Sequence, residues 1–344
     1  AKRAPTAAEL ATMRDHIRLA LEQGCCGFSS GLIYRPGRYS DTEEVVELAK
    51  VAGEFDALYT THMRNEGDKL LDAVDEALLI GKESGSHLHI SHHKAAGKAN
   101  WGKVSQSLMK VEEALVNGQA VTLDVYPYTA GSGRMIEYFN LDNPNEELAR
   151  TIRIASCPAN RLYEGRMLVD IAEAEGKTMP EMVRSVLLAP EGDKTLCIQF
   201  VISEEDVETN IKQRDMMIGS DGIPDLKGRP HPRLFGTFPR VLGHYVRERK
   251  LIGLAEAIRR MTSLPARIFG MKERGRVAEG YHADLVLFDS GLIADQATYD
   301  QPKLPPVGIK TVVVNGEIAL SDGEATGAGS GRMLRYRNDS FSPR

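Results

Sequence analysis

The sequence predicts an α/β fold built on parallel strands, either a (β/α)8 barrel or a doubly wound sheet, and three observations point there. Short apolar runs alternate with longer segments of helical period between Gly27 and Tyr126. The runs return about every thirty residues, the length of one βα unit with its right-handed crossover. Two successive runs close on histidine, at His62 and His92, where parallel strands of such folds place their chemistry.

Taken in order, the expected strands lie at 27–33, 57–62, 87–92 and 121–126, with helices at 42–55, 69–83 and 104–116 between them. Ser40 followed by Glu43 fits a capping box, and Gly85 and Gly118 stand where helix ends favour a left-handed residue. After Tyr126 the rhythm breaks until the run 216–221. An insertion of mixed helices and loops, placed like a lid, is therefore expected at about 129–215. A helix pattern at 254–261 leads into a tail with strands at 284–288, 312–314 and 317–320. Asn315-Gly316 between the last two is a hairpin signal. The expected division is 1–275 for the parallel part and 276–344 for a small β domain.

With 43 Lys and Arg against 48 Asp and Glu, the net charge is -5, which favours a small-molecule substrate over nucleic acid or an anionic membrane. Cys25, Cys26, Cys157 and Cys197 lack the spacing of a structural zinc site and read as free thiols. No apolar stretch approaches the ~20 residues that span a bilayer, and the basic start lacks the apolar core of a signal peptide. A cytoplasmic protein is expected.

His62 and His92 lie one βα unit apart, so in a parallel barrel their imidazoles would be neighbours at the carboxyl rim. Asp221, in Gly219-Ser220-Asp221-Gly222, would bring a carboxylate to the same rim. Two imidazoles and a carboxylate suit zinc, and an aspartate beside activated water can pass its proton to a leaving amine. Strict alternation, however, groups His92 with Leu88 and Ile90 on the apolar face and makes His93 the inward residue unless the strand end bends.

Several segments then carry a specific resemblance. They are Gly27-Phe28-Ser29-Ser30-Gly31-Leu32, Thr61-His62-Met63-Arg64-Asn65-Glu66, Ile90-Ser91-His92-His93-Lys94 and Asp124-Val125-Tyr126-Pro127-Tyr128, followed by Gly219-Ser220-Asp221-Gly222, His231-Pro232-Arg233 and Gly236-Thr237-Phe238-Pro239-Arg240. In order and spacing the chain resembles the D-aminoacylases of the amidohydrolase superfamily. The resemblance implies a (β/α)8 barrel with a small β-sandwich domain, and zinc-dependent hydrolysis of N-acyl-D-amino acids to a carboxylate and a free D-amino acid. It assigns His62 and His92 as metal ligands from the fifth and sixth strands. Asp221 becomes both a ligand of a second, weaker metal position and the general base. Arg233 would hold the substrate α-carboxylate with help from Tyr126 and Ser132, while Lys94 stands where an acidic substrate side chain would be gripped. One or two zinc ions are implied.

The chain departs from that pattern upstream. No His-x-His precedes His62, where only His16 occurs, and Cys25-Cys26 does not match the family's cysteine ligand. The chain accordingly reads as the C-terminal two-thirds of a family member, with N-terminal strands missing, the barrel open, and roughly 150 residues absent against a barrel of ~250. Two rivals stand beside this reading. One is a cyclic-amide hydrolase of dihydroorotase or hydantoinase type, against which the Ser-His-His-Lys and His-Pro-Arg motifs argue; the other is a non-catalytic homologue.

Overall fold

The computed structural model describes residues 2–336. In chain order come α1 (Ala7–Glu22), β1 (Gly27–Gly31), α2 (Thr42–Glu54), β2 (Leu58–His62), α3 (Leu70–Ser84), β3 (His87–Ile90), α4 (Lys103–Val116) and β4 (Val121–Val125). The insertion holds β5 (Gly131–Arg134), α5 (Glu146–Arg150), β6 (Ile152–Ser156), α6 (Leu168–Ala174), α7 (Met179–Leu187) and β7 (Leu196–Gln199). The chain returns through α8 (Glu204–Lys212) to β8 (Met217–Ile218), then α9 (Arg233–Arg240), which runs into the π-helix Val241–Glu248. After α10 (Leu254–Met261) and α11 (Ser263–Ile268) come β9 (Leu285–Phe288), β10 (Ile309–Val314), β11 (Glu317–Ser321) and β12 (Glu324–Ala325).

The local signals act close to where they stand in the sequence. Helix α2 is capped one residue later than expected: Asp41 accepts the Glu44 N–H at 2.8 Å, and Ser40 donates instead to the Glu44 carboxylate. Gly85 and Gly118 adopt φ of 66° and 85°, ending α3 and α4 in the left-handed region that costs glycine little. Asn315 and Gly316 both have positive φ, as a type I′ hairpin between β10 and β11 demands.

Five strands run parallel in the order β1-β2-β3-β4-β8. The order never reverses, unlike that of a doubly wound sheet. Among the described residues the sheet is open and a closed barrel is not formed. One face carries Tyr59, Leu88, Ile90, Leu123 and Val125, which pack with Ala49, Val74, Ala77, Ile80 and Val104 of α2, α3 and α4. Each fully buried aliphatic side chain there contributes about 1.5–3 kcal/mol. The opposite face is polar: the register sets Thr60 beside His89 and His89 beside Thr122. His89 spans that layer through Nδ1 to Thr122 at 3.0 Å and Nε2 to Asp124 at 2.8 Å.

The insertion differs from the expected helices and loops. It contains an antiparallel sheet, β5-β7-β6, over its own core of Met135, Ile152, Ile154, Leu168, Met182 and Val183. Gly131-Ser132-Gly133-Arg134 has no apolar alternation to announce a strand, and β7 is only four residues long. In the tail, β12-β11-β10-β9 form a single antiparallel sheet among the described residues, one layer where a two-layer sandwich is expected. No helix among the described residues is long and apolar enough to cross a membrane.

Candidate active site

The carboxyl ends of β2, β3, β4 and β8 bring the chemistry together. His62 is the last residue of β2, while His92 lies two residues beyond β3. Alternation would send His92 out among the helices, but its φ of 42° turns the chain back. Such a backbone costs a non-glycine residue about 1–3 kcal/mol and persists only where its surroundings impose it. Asp124 imposes it: Oδ1 accepts the His92 N–H at 2.9 Å, and its carbonyl accepts the His93 N–H at 2.8 Å. His92 Nε2 thereby comes to 2.8 Å from His62 Nδ1. His93 instead goes outward and is fully buried, with Nδ1 2.7 Å from Asn210 Oδ1 on α8 and Nε2 2.5 Å from Ser107 Oγ on α4. The strand-end bend left open by the sequence thus gives His92 the inward place.

Three further residues close around the pair. Glu66 Oε1 lies 3.0 Å from His92 Nδ1 and Oε2 3.7 Å from His62 Nε2. Lys94 Nζ is 2.5 Å from Glu66 Oε1 and 2.9 Å from His92 Nδ1. Tyr34 Oη approaches His62 Nδ1 at 3.3 Å. Burial pushes the His62 imidazole down to about 3, so the ring is neutral at neutral pH. Burial raises the Glu66 carboxyl, but the Lys94 ammonium, with a hydrogen bond from His92, outweighs it and holds it well below the usual range. Burial pushes the Tyr34 hydroxyl up to about 12, which keeps its proton in place.

His62, Glu66 and His92 form the one group among the described residues whose His, Cys, Asp or Glu ligand atoms all lie within 4.8 Å of one another. His62 Nε2 is buried without a hydrogen-bond partner. Imidazole nitrogens meeting at 2.8 Å beside a carboxylate fit a divalent cation of zinc's class.

Asp221 sits elsewhere in the site. It follows β8 with φ of 47°, and its Oδ2 lies 2.8 Å from Arg233 Nη2. The structure therefore gives Asp221 to Arg233 and not to the group formed by the histidines. Arg233 opens α9 and its side chain is 1 % exposed. Nη2 also donates to the backbone carbonyl of Ser132 at 3.4 Å, so Ser132 contributes its main chain there. Nε and Nη1 are buried without hydrogen-bond partners. The guanidinium lies 4.6 Å from the ring centre of Tyr126, and Lys94 Nζ lies 5.5 Å from the same centre. Tyr126 is the wall shared by the two halves of the site. His231 fixes the start of α9, with Nδ1 accepting the Arg233 N–H and Nε2 donating to the Ala130 carbonyl.

A family model described as the amidohydrolase family matches residues 47–320, from within α2 to β11. The chain belongs to the amidohydrolase family. This amidohydrolase is 41 % identical over 312 residues to an N-acyl-D-glutamate deacylase of Alcaligenes xylosoxydans xylosoxydans, covering 91 % of the chain and 61 % of that protein. It is 39 % identical to a D-aminoacylase of the same organism, covering 97 % of the chain and 66 % of that protein. Its fold is similar, with a TM-score of 0.89 and 41 % identity, to the crystal structure of N-acyl-D-glutamate deacylase from Bordetella bronchiseptica in complex with zinc and a phosphonate mimic of the tetrahedral intermediate. That likeness covers 97 % of the chain and 68 % of the neighbour. The chain spans less than two-thirds of the length of both Alcaligenes relatives.

The amidohydrolase site also contains residues that the sequence reading passed over. Glu66 stands in the quoted Thr61-to-Glu66 segment, four residues after His62, yet nothing in a loop pattern says that its side chain folds back. Asp124 and His89 lie at alternate positions of adjacent strands, a signal that register could have exposed. Tyr34 follows β1 by three residues and carried no signal at all.

Proposed function

We propose that this amidohydrolase cleaves the amide bond of N-acyl-D-amino acids by metal-assisted addition of water. The observation that carries the proposal is Arg233: a buried guanidinium whose Nε and Nη1 have no partner, on the Tyr126 wall it shares with Lys94. Burying such donors unpaired costs about 1–3 kcal/mol, a cost that a bound carboxylate removes by taking two parallel hydrogen bonds. The preference for D substrates comes from the relatives, whose names specify it.

In this reading His62 and His92 would hold a zinc ion, and Asp221 would be a ligand of a second, weaker position. Zinc there supplies Lewis acidity to the amide carbonyl and to water. The chain's own groups do the remainder. Arg233 anchors the α-carboxylate with Tyr126 beneath its guanidinium and the Ser132 main chain behind it. Asp221 takes a proton at Oδ1, the oxygen not paired with Arg233, from the attacking water and delivers it to the departing amine. The acyl carbon gains the water oxygen, the C–N bond breaks, and a carboxylate and a free amine leave. Lys94 retains ammonium hydrogens beyond the one directed at Glu66, and we assign one of them to the side-chain carboxylate of acidic substrates. The unreversed strand order suits barrel winding of the parallel sheet.

The deciding experiment offers N-acetyl-D-methionine, N-acetyl-D-glutamate, their L enantiomers and dihydroorotate to the zinc-loaded protein. Free D-amino acid should appear, with D-glutamate released faster than D-methionine. Turnover of dihydroorotate alone would place the chain with the cyclic-amide hydrolases, and no turnover of any of them would make it a non-catalytic homologue.

A further inference from the structure

Each imidazole of the pair has a near nitrogen and a far one. The near nitrogens, His62 Nδ1 and His92 Nε2, face each other at 2.8 Å. The far nitrogens, His62 Nε2 and His92 Nδ1, both turn toward a single carboxylate, that of Glu66, at 3.7 Å and 3.0 Å. When the near nitrogens offer their lone pairs to a cation, the far nitrogens must carry the protons, and a proton on each needs an acceptor. Glu66 is placed to accept from His92 Nδ1, while His62 Nε2 at 3.7 Å has no hydrogen-bond partner.

We infer that Glu66 is a positioning residue that fixes the tautomer and ring orientation of the metal-binding His92 through its far nitrogen. The inference rests on the metal-centre reading given above. The loop is built to hold Glu66 there. Its carbonyl accepts the Ala96 N–H at 2.7 Å, which ties the loop after β2 to the loop after β3. Just before it, Asn65 Oδ1 accepts the N–H groups of Gly67 and Lys69 at 2.9 Å and 3.0 Å and closes the turn. The residue is only 9 % exposed, so water competes little for the carboxylate.

Lys94 separates this role from that of a direct ligand. Its ammonium sits 2.5 Å from Glu66 Oε1, where a second cation on the same oxygen would be repelled. Lys94 also lies 2.9 Å from His92 Nδ1, but the carboxylate is the stronger acceptor for its hydrogen, which leaves Nδ1 free to donate to Glu66.

The test is zinc affinity, read by competition with a chromophoric chelator, for the full chain and for Glu66→Gln and Glu66→Asp. The glutamine's neutral oxygen is the weaker acceptor, and its amide sets a donor beside the Lys94 ammonium. The aspartate keeps the charge beside Lys94 but falls short of the His92 ring. Both variants should bind zinc about 10–100-fold more weakly. The visible ligand-field spectrum of the cobalt(II)-loaded variants should match that of the parent, because the ligand set is unchanged. Affinity within about twofold of the parent in either folded variant, checked by circular dichroism, overturns the inference, on the scale of that second-shell effect. So does an altered cobalt spectrum, which would make Glu66 a ligand. A parent chain that binds neither ion overturns this inference together with the reading beneath it, whereas a metal-binding parent with unaffected variants sinks this inference alone.

Discussion

Arg233 and His93 show how burial turns single side chains to opposite ends. The Nε and Nη1 of Arg233 are buried without hydrogen-bond partners; if they take the substrate carboxylate as proposed, Arg233→Lys, which keeps the charge but loses the fork, should cost about 1.5–3 kcal/mol of substrate binding. That is roughly a ten- to hundredfold loss in kcat/KM. Steady-state kinetics with an N-acetyl-D-amino acid would show the loss mainly in KM, whereas unchanged kinetics would remove Arg233 from the site. His93, between Asn210 and Ser107, is pushed by burial down to about 4, against 6.5 for a free imidazole. The unfolded chain therefore takes up that proton first. The stability tied to neutral His93 is complete above pH 6.5 and drains away as the pH falls toward 4, at up to about 1.4 kcal/mol per pH unit. Denaturant melts of the parent and of His93→Asn between pH 7 and pH 4.5 should show a shallower decline in the variant. At this scale the sequence revealed residue types and their spacing, which is why His62 could be placed at the end of a strand. It did not reveal that His92 would turn inward, because a left-handed φ imposed by Asp124 leaves no trace in an alternation pattern.

At the scale of elements, the site depends on how closely β4 and β8 approach. A Cβ on Gly219 would lie 2.7 Å from Asp124 Oδ1, the oxygen that accepts the His92 N–H. Gly219→Ala should therefore push Asp124 aside, loosen the turn at His92 and cost about 1–3 kcal/mol of overpacking. Thermal unfolding would register the cost, and a melting point equal to that of the parent would show that Asp124 can move freely. The parallel strands were readable because each combines an apolar outer face with turn signals at both ends, and they start and stop within a few residues of where the pattern places them. The insertion was not: β5 is made of Gly, Ser and Arg, and its pairing with β7 is settled by contacts across more than sixty residues of chain, as Gly131 paired with Gln199 shows. Contacts of that range override local preference.

At the scale of the whole molecule, an open five-stranded parallel sheet gathers two buried cationic side chains, Lys94 and Arg233, and the paired imidazoles of His62 and His92 at one rim. A metal ion bound there should stabilise the chain by mass action, by about 2.7 kcal/mol at a hundredfold excess over Kd. The melting temperature should rise with zinc in the parent and stay flat in His62→Ala combined with His92→Ala; equal rises in both would put the ion elsewhere. The most direct measurement follows release of free D-amino acid from N-acetyl-D-glutamate by protein stripped with a chelator, as zinc is added back. Release should be abolished by stripping and restored in proportion to zinc until the site fills. Release that continues undiminished in the stripped protein would contradict a reaction centred on His62 and His92.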